Sequence, residues 1–264
     1  MRLAVLGSPI AHSRSPVLHG AAYGVLGLDW SYTAVEVTEE TLPAVLAGLG
    51  PDWRGLSLTM PLKRAVLPLV PDREPLVDRL GLANTVLLGE RPALFNTDVG
   101  GIVAALRYAG VDRVRRGVVL GGGATAASAL EALARLGAVE RTVAARDPAR
   151  AARLPGATAV VPLAAVDLGA ADVVVSTLPG TADAPVPMPP DARNVPLLDA
   201  AYDPWPTRVG AAWLDAGGRL VHGLEMLLEQ AVLQIRVFVT GSPDAPLPRE
   251  DAVRAAMRAA MGES

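Results

Sequence analysis

The chain carries 24 basic side chains, of which 23 are arginine and one is lysine, Lys63. Arginine stays protonated in proteins, whereas an ammonium can give up and regain a proton. The single lysine is therefore the first candidate for acid–base work. It lies in Thr59-Met60-Pro61-Leu62-Lys63, where a proline opens a helix expected over 61–69. Lys63 then falls in the first turn, at the positive end of the helix dipole, where a plain surface cation gains nothing. Upstream, Ser13-Arg14-Ser15-Pro16 puts two hydroxyls at another helix start. Ser15 before Pro16 reads as an N-cap, and a helix N-terminus flanked by two hydroxyls also suits a carboxylate. Asp98, ahead of Gly100-Gly101, reads as the cap of a further helix.

A second kind of chemistry is written in Val118-Val119-Leu120-Gly121-Gly122-Gly123-Ala124-Thr125-Ala126. A hydrophobic strand runs directly into a glycine turn and a helix, the setting of a dinucleotide fingerprint with alanine in its third place. Gly121 permits the tight turn. Gly122, Gly123 and Ala124 let a pyrophosphate approach the backbone at the helix N-terminus, and Ala126 lets the helix lie close to the strand. The next strand ends in Ala145, followed by Arg146, Asp147 and, a turn later, Arg150. Two guanidiniums suit a 2′-phosphate, which favours NADP. Asp147 either caps the following turn or accepts a ribose hydroxyl, and the second option keeps NAD open.

The elements that hold these residues alternate short β-rich runs with alanine- and leucine-rich helical patterns, the sign of an α/β chain. Strands are expected near 2–7, 32–37, 55–59, 84–88, 117–121, 141–145, 172–176, 195–199 and 219–221. Helices are expected near 16–26, 41–49, 61–69, 101–109, 124–136, 207–216, 223–240 and 249–261. Residues 179–193 read as a surface loop. Two domains follow: an N-terminal α/β domain of 1–99 joined by the returning helices of 223–264, and a Rossmann-type domain of 100–222. Hydrophobic residues make up 51% of the 264, so burial is not limiting, yet no uncharged stretch reaches the ~18 residues of a membrane helix. Cysteine is absent, which removes disulfides and thiolate chemistry. The three histidines, His12, His19 and His222, lack zinc-ligand spacing, so no metal is expected. A net charge of −3 gives no footprint for nucleic acid. A cytoplasmic protein with small-molecule partners is expected, with no nucleic acid or membrane partner, as a monomer or homodimer.

Six separated motifs, in order, resemble the shikimate dehydrogenase family: Ser13-Arg14-Ser15-Pro16, Leu58 to Lys63, Gly81-Leu82-Ala83-Asn84-Thr85, Asn96-Thr97-Asp98, Asp199 to Pro204, and Gly223 to Gln230. The resemblance implies NADP-dependent, reversible reduction of 3-dehydroshikimate to shikimate, a step toward chorismate and the aromatic amino acids. It implies that Lys63 and Asp98 form the acid–base pair at the reacting oxygen. It implies that Ser13 and Ser15 hold the carboxylate, with Tyr202 near it, and that Thr59, Asn84 and Gln230 meet the ring hydroxyls. Gly223 and Met226 join the cofactor contacts. The chain departs from the family pattern at Ser57, where asparagine is usual, and in the cofactor half at the glycine turn, Ala145, Asp147 and Ser176 to Pro179. Rival expectations are an NAD-dependent quinate/shikimate dehydrogenase of catabolism and a non-catalytic shikimate- or nucleotide-binding relative.

Overall fold

A computed structural model describes residues 1–262. The chain divides into two compact units, one of Met1–Thr97 together with the residues from Gln230 on, the other of Asp98–Glu229.

The first unit begins with β1 (Arg2–Gly7), α1 (Ser15–Leu26), β2 (Ser31–Glu36), α2 (Leu42–Ala47), β3 (Trp53–Leu58) and α3 (Leu62–Ala65). It continues with β4 (Asp72–Arg73), α4 (Pro75–Leu80), β5 (Thr85–Leu87) and β6 (Ala93–Phe95). The sheet order is β2-β1-β3-β5-β6-β4. β1, β2 and β3 run parallel, while β5 is antiparallel to both β3 and β6. Ala4, Leu6, Leu56, Leu58, Val86 and Leu94 are buried on these strands and pack with Leu62, Val66 and Val77. The helix expected over 61–69 stops at Ala65, because Pro68 disfavours helical backbone at Leu67. The short pieces β4, β6 and α4 are additions to the expected elements; runs this brief carry too little periodicity to be seen.

The second unit contains α5 (Asp98–Tyr108), β7 (Arg116–Leu120), α6 (Ala124–Arg135), β8 (Glu140–Ala145), α7 (Pro148–Ala151), β9 (Ala159–Pro162), β10 (Val173–Ser176), β11 (Leu197–Asp199), α8 (Arg208–Asp215) and β12 (Leu220–Val221). Its sheet is parallel throughout, in the order β12-β11-β10-β7-β8-β9. This is the doubly wound arrangement, whose strand order reverses between β7 and β10. β9 is a further addition: Ala159-Val-Val-Pro162 is a short edge strand, the one place a sheet tolerates proline. Val173, Val174 and Val175 are fully buried, and so is Trp213, whose Nε1 donates to the Val195 carbonyl at 2.9 Å. The helix expected from 101 starts at Asp98, so Asp98 stands in its first turn and not ahead of it.

α9 (Gly223–Thr240) contains the second boundary, between Glu229 and Gln230. In the first unit it is followed by α10 (Glu250–Met261), which packs on α1. Arg236 of α9 grips Glu250 with two hydrogen bonds, of 2.7 and 2.6 Å, and Arg254 adds one of 2.6 Å. The Leu247 backbone donates to the same carboxylate at 3.0 Å. Among the described residues, no helix is long and apolar enough to cross a membrane.

Burial alone would raise the Glu250 carboxyl, but hydrogen bonds from Arg236, Leu247 and Arg254 outweigh it and hold the pKa at about 2. A depressed carboxylate pKa contributes stability that is present above its unfolded value and lost as pH falls through the folded one. Glu250→Gln is therefore expected to cost about 2 kcal/mol at pH 7. The gap to the wild type is expected to close between pH 4.5 and 2. Urea denaturation across that range checks both points.

Candidate active site

The topology of the first sheet brings chosen residues to one edge. β1 and β3 are parallel and both end there, β5 starts there because it is antiparallel, and β6 ends beside it. Ser8 follows β1, Thr59 follows β3, Asn84 precedes β5, and Asn96 and Thr97 follow β6. Backbone bonds tie these ends together. Ser8 N–H donates to the Met60 carbonyl at 3.0 Å, Thr59 N–H to Leu6 at 2.9 Å, and Leu58 N–H to Asn84 at 2.7 Å. Ala83 N–H donates to the Lys63 carbonyl at 2.9 Å, which seats the α3 turn against the segment entering β5. Lys63 is half-buried. α3 has only four residues, so its first and last turns coincide and the dipole argument for Lys63 falls away. What remains is position.

Ser15 does not act as an N-cap. That place belongs to Arg14, and Ser15 sits inside the first turn of α1, buried. Its backbone N–H donates to Ser13 Oγ at 3.3 Å, so the two serines are held side by side at the start of the helix. Capping therefore does not account for Ser15.

Asn84 is bonded at both ends of its carboxamide. The Thr97 backbone N–H donates to its Oδ1 at 2.8 Å, and Thr85 Oγ1 donates to the same atom at 2.9 Å. Its Nδ2 donates to Thr97 Oγ1 at 2.9 Å and to Gln230 Oε1 at 3.3 Å. A backbone N–H can only donate, so the carboxamide has one orientation, with its oxygen on the Thr97 N–H and its nitrogen between Thr97 Oγ1 and Gln230. Behind this pair lie polar side chains that the sequence reading did not select for the site. Gln234 Nε2 donates to the Asn84 carbonyl at 3.1 Å and to Thr85 Oγ1 at 3.2 Å. Ser57 Oγ donates to Gln234 Oε1 at 2.8 Å and accepts from Tyr32 OH at 2.6 Å. The ring of Tyr32 stacks on His19, centroids 3.9 Å apart at 18°, and His19 Nδ1 hydrogen-bonds Tyr23 OH at 3.0 Å. Two spacings made Gln234 and Ser57 findable: Gln234 stands four residues from Gln230, on the same helix face, and Ser57 two from Thr59, on the same strand face.

In the second unit the selected residues gather at the carboxyl ends of the parallel strands. The chain leaves β7 through Gly121 at φ +110°, which L side chains rarely adopt, and Gly121 N–H donates to Ala144 at 2.8 Å. Gly123 is the N-cap of α6, with no side chain capping that end and open space where its Cβ would stand. Gly122 and Ala124 are half-buried beside it, and Ala126 is fully buried. The uncapped N-terminus of a twelve-residue helix, approached over bare glycine, fits a dinucleotide pyrophosphate. Arg146 and Arg150 are exposed past the end of β8. Asp147 caps the intervening turn, its Oδ1 accepting from Arg150 N–H at 3.0 Å.

Further along the same edge, Asp199 at the end of β11 accepts a hydrogen bond from Thr207 Oγ1, and Thr207 caps α8 by accepting from Gly210 N–H at 2.9 Å. Burial raises the Asp199 pKa, with Thr207 opposing. This pair pins the loop that carries the half-buried Tyr202. Trp205 of that loop stacks on His222, centroids 3.6 Å apart. Gly223 packs so tightly that a Cβ would meet the carbonyls of Asp199, Ala200 and Ala201 at 2.6–2.8 Å, and Met226 is buried one turn on. Lys63, Ser13, Ser15, Thr59, Asn84 and Gln230 thus belong to the first unit. Asp98, Tyr202 and all the cofactor candidates belong to the second.

A family profile described as the shikimate dehydrogenase substrate binding domain matches residues 5–86. A shikimate dehydrogenase (NADP(+)) of Moorella thermoacetica is 34% identical over 284 residues, covering 99% of this chain and 94% of that relative. The chain belongs to the shikimate dehydrogenase family. Two solved members share its architecture. Mycobacterium tuberculosis shikimate dehydrogenase is 40% identical with a TM-score of 0.82, covering 98% of this chain and 99% of the other. A Thermus thermophilus shikimate dehydrogenase, solved with NADP(H) and shikimate, is 34% identical with a TM-score of 0.85 and the same coverage. Against the family pattern, Ser57 is the departure in the first unit, and it is the one bonded on both sides, to Tyr32 and to Gln234.

Burial lowers the His19 pKa from 6.5 to about 3, with Gln234 opposing. Between those values the unfolded chain binds a proton that the folded chain does not, so stability falls as pH falls through that window. The His19 imidazole is expected to show no titration in NMR spectra between pH 5 and 8. A midpoint near 6.5 would contradict the burial of this ring.

Proposed function

We propose that this protein catalyses the reversible, NADP-dependent reduction of 3-dehydroshikimate to shikimate, in the pathway toward chorismate. The observation that carries the proposal is the sheet edge of the first unit, where Thr59 follows β3 and Asn84 precedes β5, with Lys63 seated against the segment entering β5 and Gln230 of α9 bonded to Asn84. Ser13 and Ser15 stand together at the start of α1. Such a collection suits a small, hydroxylated carboxylic acid: hydroxyls for the carboxylate, amides for the ring oxygens, an ammonium for the proton.

On this proposal the unit of Met1–Thr97 and the residues from Gln230 on binds substrate, and Asp98–Glu229 binds the cofactor. Ser13 and Ser15 hold the carboxylate at the start of α1, with Tyr202 contributing its hydroxyl. Asn84 offers Nδ2 to a ring oxygen by exchanging its 3.3 Å bond to Gln230, while its Oδ1 stays with Thr97 and Thr85. Thr59 and Gln230 bond the neighbouring hydroxyls. Lys63 gives a proton to the ketone oxygen, and in the reverse direction takes it back from the hydroxyl, with Asp98 orienting the exchange. The chemistry supplied by bound dinucleotide is hydride transfer. Gly121, Gly122, Gly123, Ala124 and Ala126 make room for its pyrophosphate, Arg146 and Arg150 grip the 2′-phosphate, and Gly223 and Met226 complete its contacts. The residues of the chain contribute chiefly alignment. The protein works in the cytoplasm on small molecules, as a monomer or homodimer.

The first test follows NADPH absorbance while purified protein meets shikimate and NADP, beside parallel mixtures with NAD and with quinate. Turnover is expected with shikimate and NADP. A preference for NAD or quinate, or no turnover by folded protein, would overturn the proposal. Lys63→Ala is expected to lower kcat by roughly 10²–10⁴, and near-normal kcat would remove Lys63 from the chemistry. Arg146→Ala and Arg150→Ala are each expected to raise the KM for NADP by about tenfold or more. The KM for NAD is expected to stay put, which separates phosphate recognition from general damage.

A further inference from the structure

The polar chain behind Asn84 is directional, and its direction follows from two backbone groups. The Asn84 carbonyl can only accept, so the amide end of Gln234 that faces it is Nε2, donating at 3.1 Å. Gln234 Oε1 must then accept, and Ser57 Oγ donates to it at 2.8 Å. Having given its proton to Gln234, Ser57 accepts from Tyr32 OH at 2.6 Å. On the other side, Gln234 Nε2 donates to Thr85 Oγ1, which leaves Thr85 to donate to Asn84 Oδ1. Every member is almost wholly buried: Tyr32 at 9% exposure, Ser57 at 4%, Gln234 at 2% and Thr85 at 0%. Buried chains of this kind strengthen link by link, and a missing member leaves its neighbour unsatisfied.

We propose that Ser57 and Tyr32 are positioning residues, acting through Gln234 and Thr85 to hold the Asn84 carboxamide with the N–H on its Gln230 side available to the substrate oxygens. The substrate part of this inference rests on the function proposed above. Without the Ser57 hydroxyl, the Asn84 carbonyl still selects the nitrogen end of Gln234, but Oε1 has lost the donor that holds the amide in place. The Gln234 side chain then shifts toward its other neighbour, His19, and its bond to Thr85 weakens. Thr85 Oγ1, no longer accepting from Gln234, is free to rotate its hydroxyl hydrogen away from Asn84 Oδ1. Asn84 Oδ1 keeps its donors from Thr97 but loses the one from Thr85, on its other side. The consequence reaches substrate binding and not the dinucleotide, because all members of the chain lie in the first unit.

The test compares wild type, Ser57→Ala, Tyr32→Phe, the double variant and Ser57→Thr, each shown to be folded by thermal denaturation. The Asn84 side-chain NH2 signal is followed by ¹H–¹⁵N NMR. Ser57→Ala is expected to lower the hydrogen-exchange protection of that signal and to raise the KM for shikimate about 3- to 10-fold. The KM for NADP is expected to stay unchanged. Tyr32→Phe is expected to act in the same direction but more weakly, since Ser57 can still donate. The double variant is expected to be no worse than Ser57→Ala alone, because both act through one chain. Ser57→Thr, which restores a hydroxyl, is expected to recover both readouts. An unmoved Asn84 signal and unmoved shikimate KM in both single variants, whatever their melting temperature, would overturn the inference and leave the chain a packing feature. A moved Asn84 signal in variants of a protein that does not turn over shikimate would uphold the positioning and overturn the function.

Discussion

The backbone N–H of Thr97 donates to Asn84 Oδ1, and most of the first unit's site geometry depends on that bond. It is made between the residue before β5 and a residue just after β6, so it closes the open end of an antiparallel pair. It also decides which end of a symmetric-looking amide meets the site. The other side chains there then have little choice. Gln230 receives an N–H, Thr85 supplies an O–H, and Gln234 must turn its nitrogen inward. In a buried place each wrong choice would strand a donor or acceptor at a cost of about 1–3 kcal/mol.

The two units solve their recognition problems with different materials. In the second, the sequence removes side chains: Gly121 turns the chain, Gly123 leaves space over a helix start, and Gly223 lets α9 begin against three carbonyls. What is presented there is backbone, aimed by the parallel sheet. In the first unit the strand β5 runs against its neighbours β3 and β6, which returns the chain twice to the same edge. That return is what sets Asn84 and Thr97 beside the residues leaving β1 and β3. What is presented there is side chain, and side chains need bracing of the kind Tyr32, Ser57 and Gln234 form.

Much of this was legible in the residues. The glycine turn, flanked by a valine strand and an alanine helix, located β7, α6 and β8 to within a residue or two. The prolines at 16 and 61 located the starts of α1 and α3 to within a residue. Less legible was anything carried by very short elements. β4, β6, β9 and α7 are too brief for periodicity, and α3 looked long because its apolar residues continue past the point where Pro68 stops it. Least legible was the bracing. Asn84 and Gln230 are 146 residues apart, and no local pattern announces a hydrogen bond over that span. Ser57 was visible only as an odd residue in a familiar motif.

The first unit is also built from two separated stretches of chain, while the second is a single run from 98 to 229. During synthesis the contiguous unit is complete on emergence. The earlier one must wait. The helical segment from Gln230 on, with Gln234 and the Arg236–Glu250 clamp, leaves the ribosome after the whole of the second unit. Until it arrives, Asn84 and Ser57 face outward with bonds unmade, and β3 lacks the helix that covers it. The nascent chain can therefore own a finished second unit while the first is still an exposed sheet, which makes the segment from Gln230 on the one on which its solubility during translation turns.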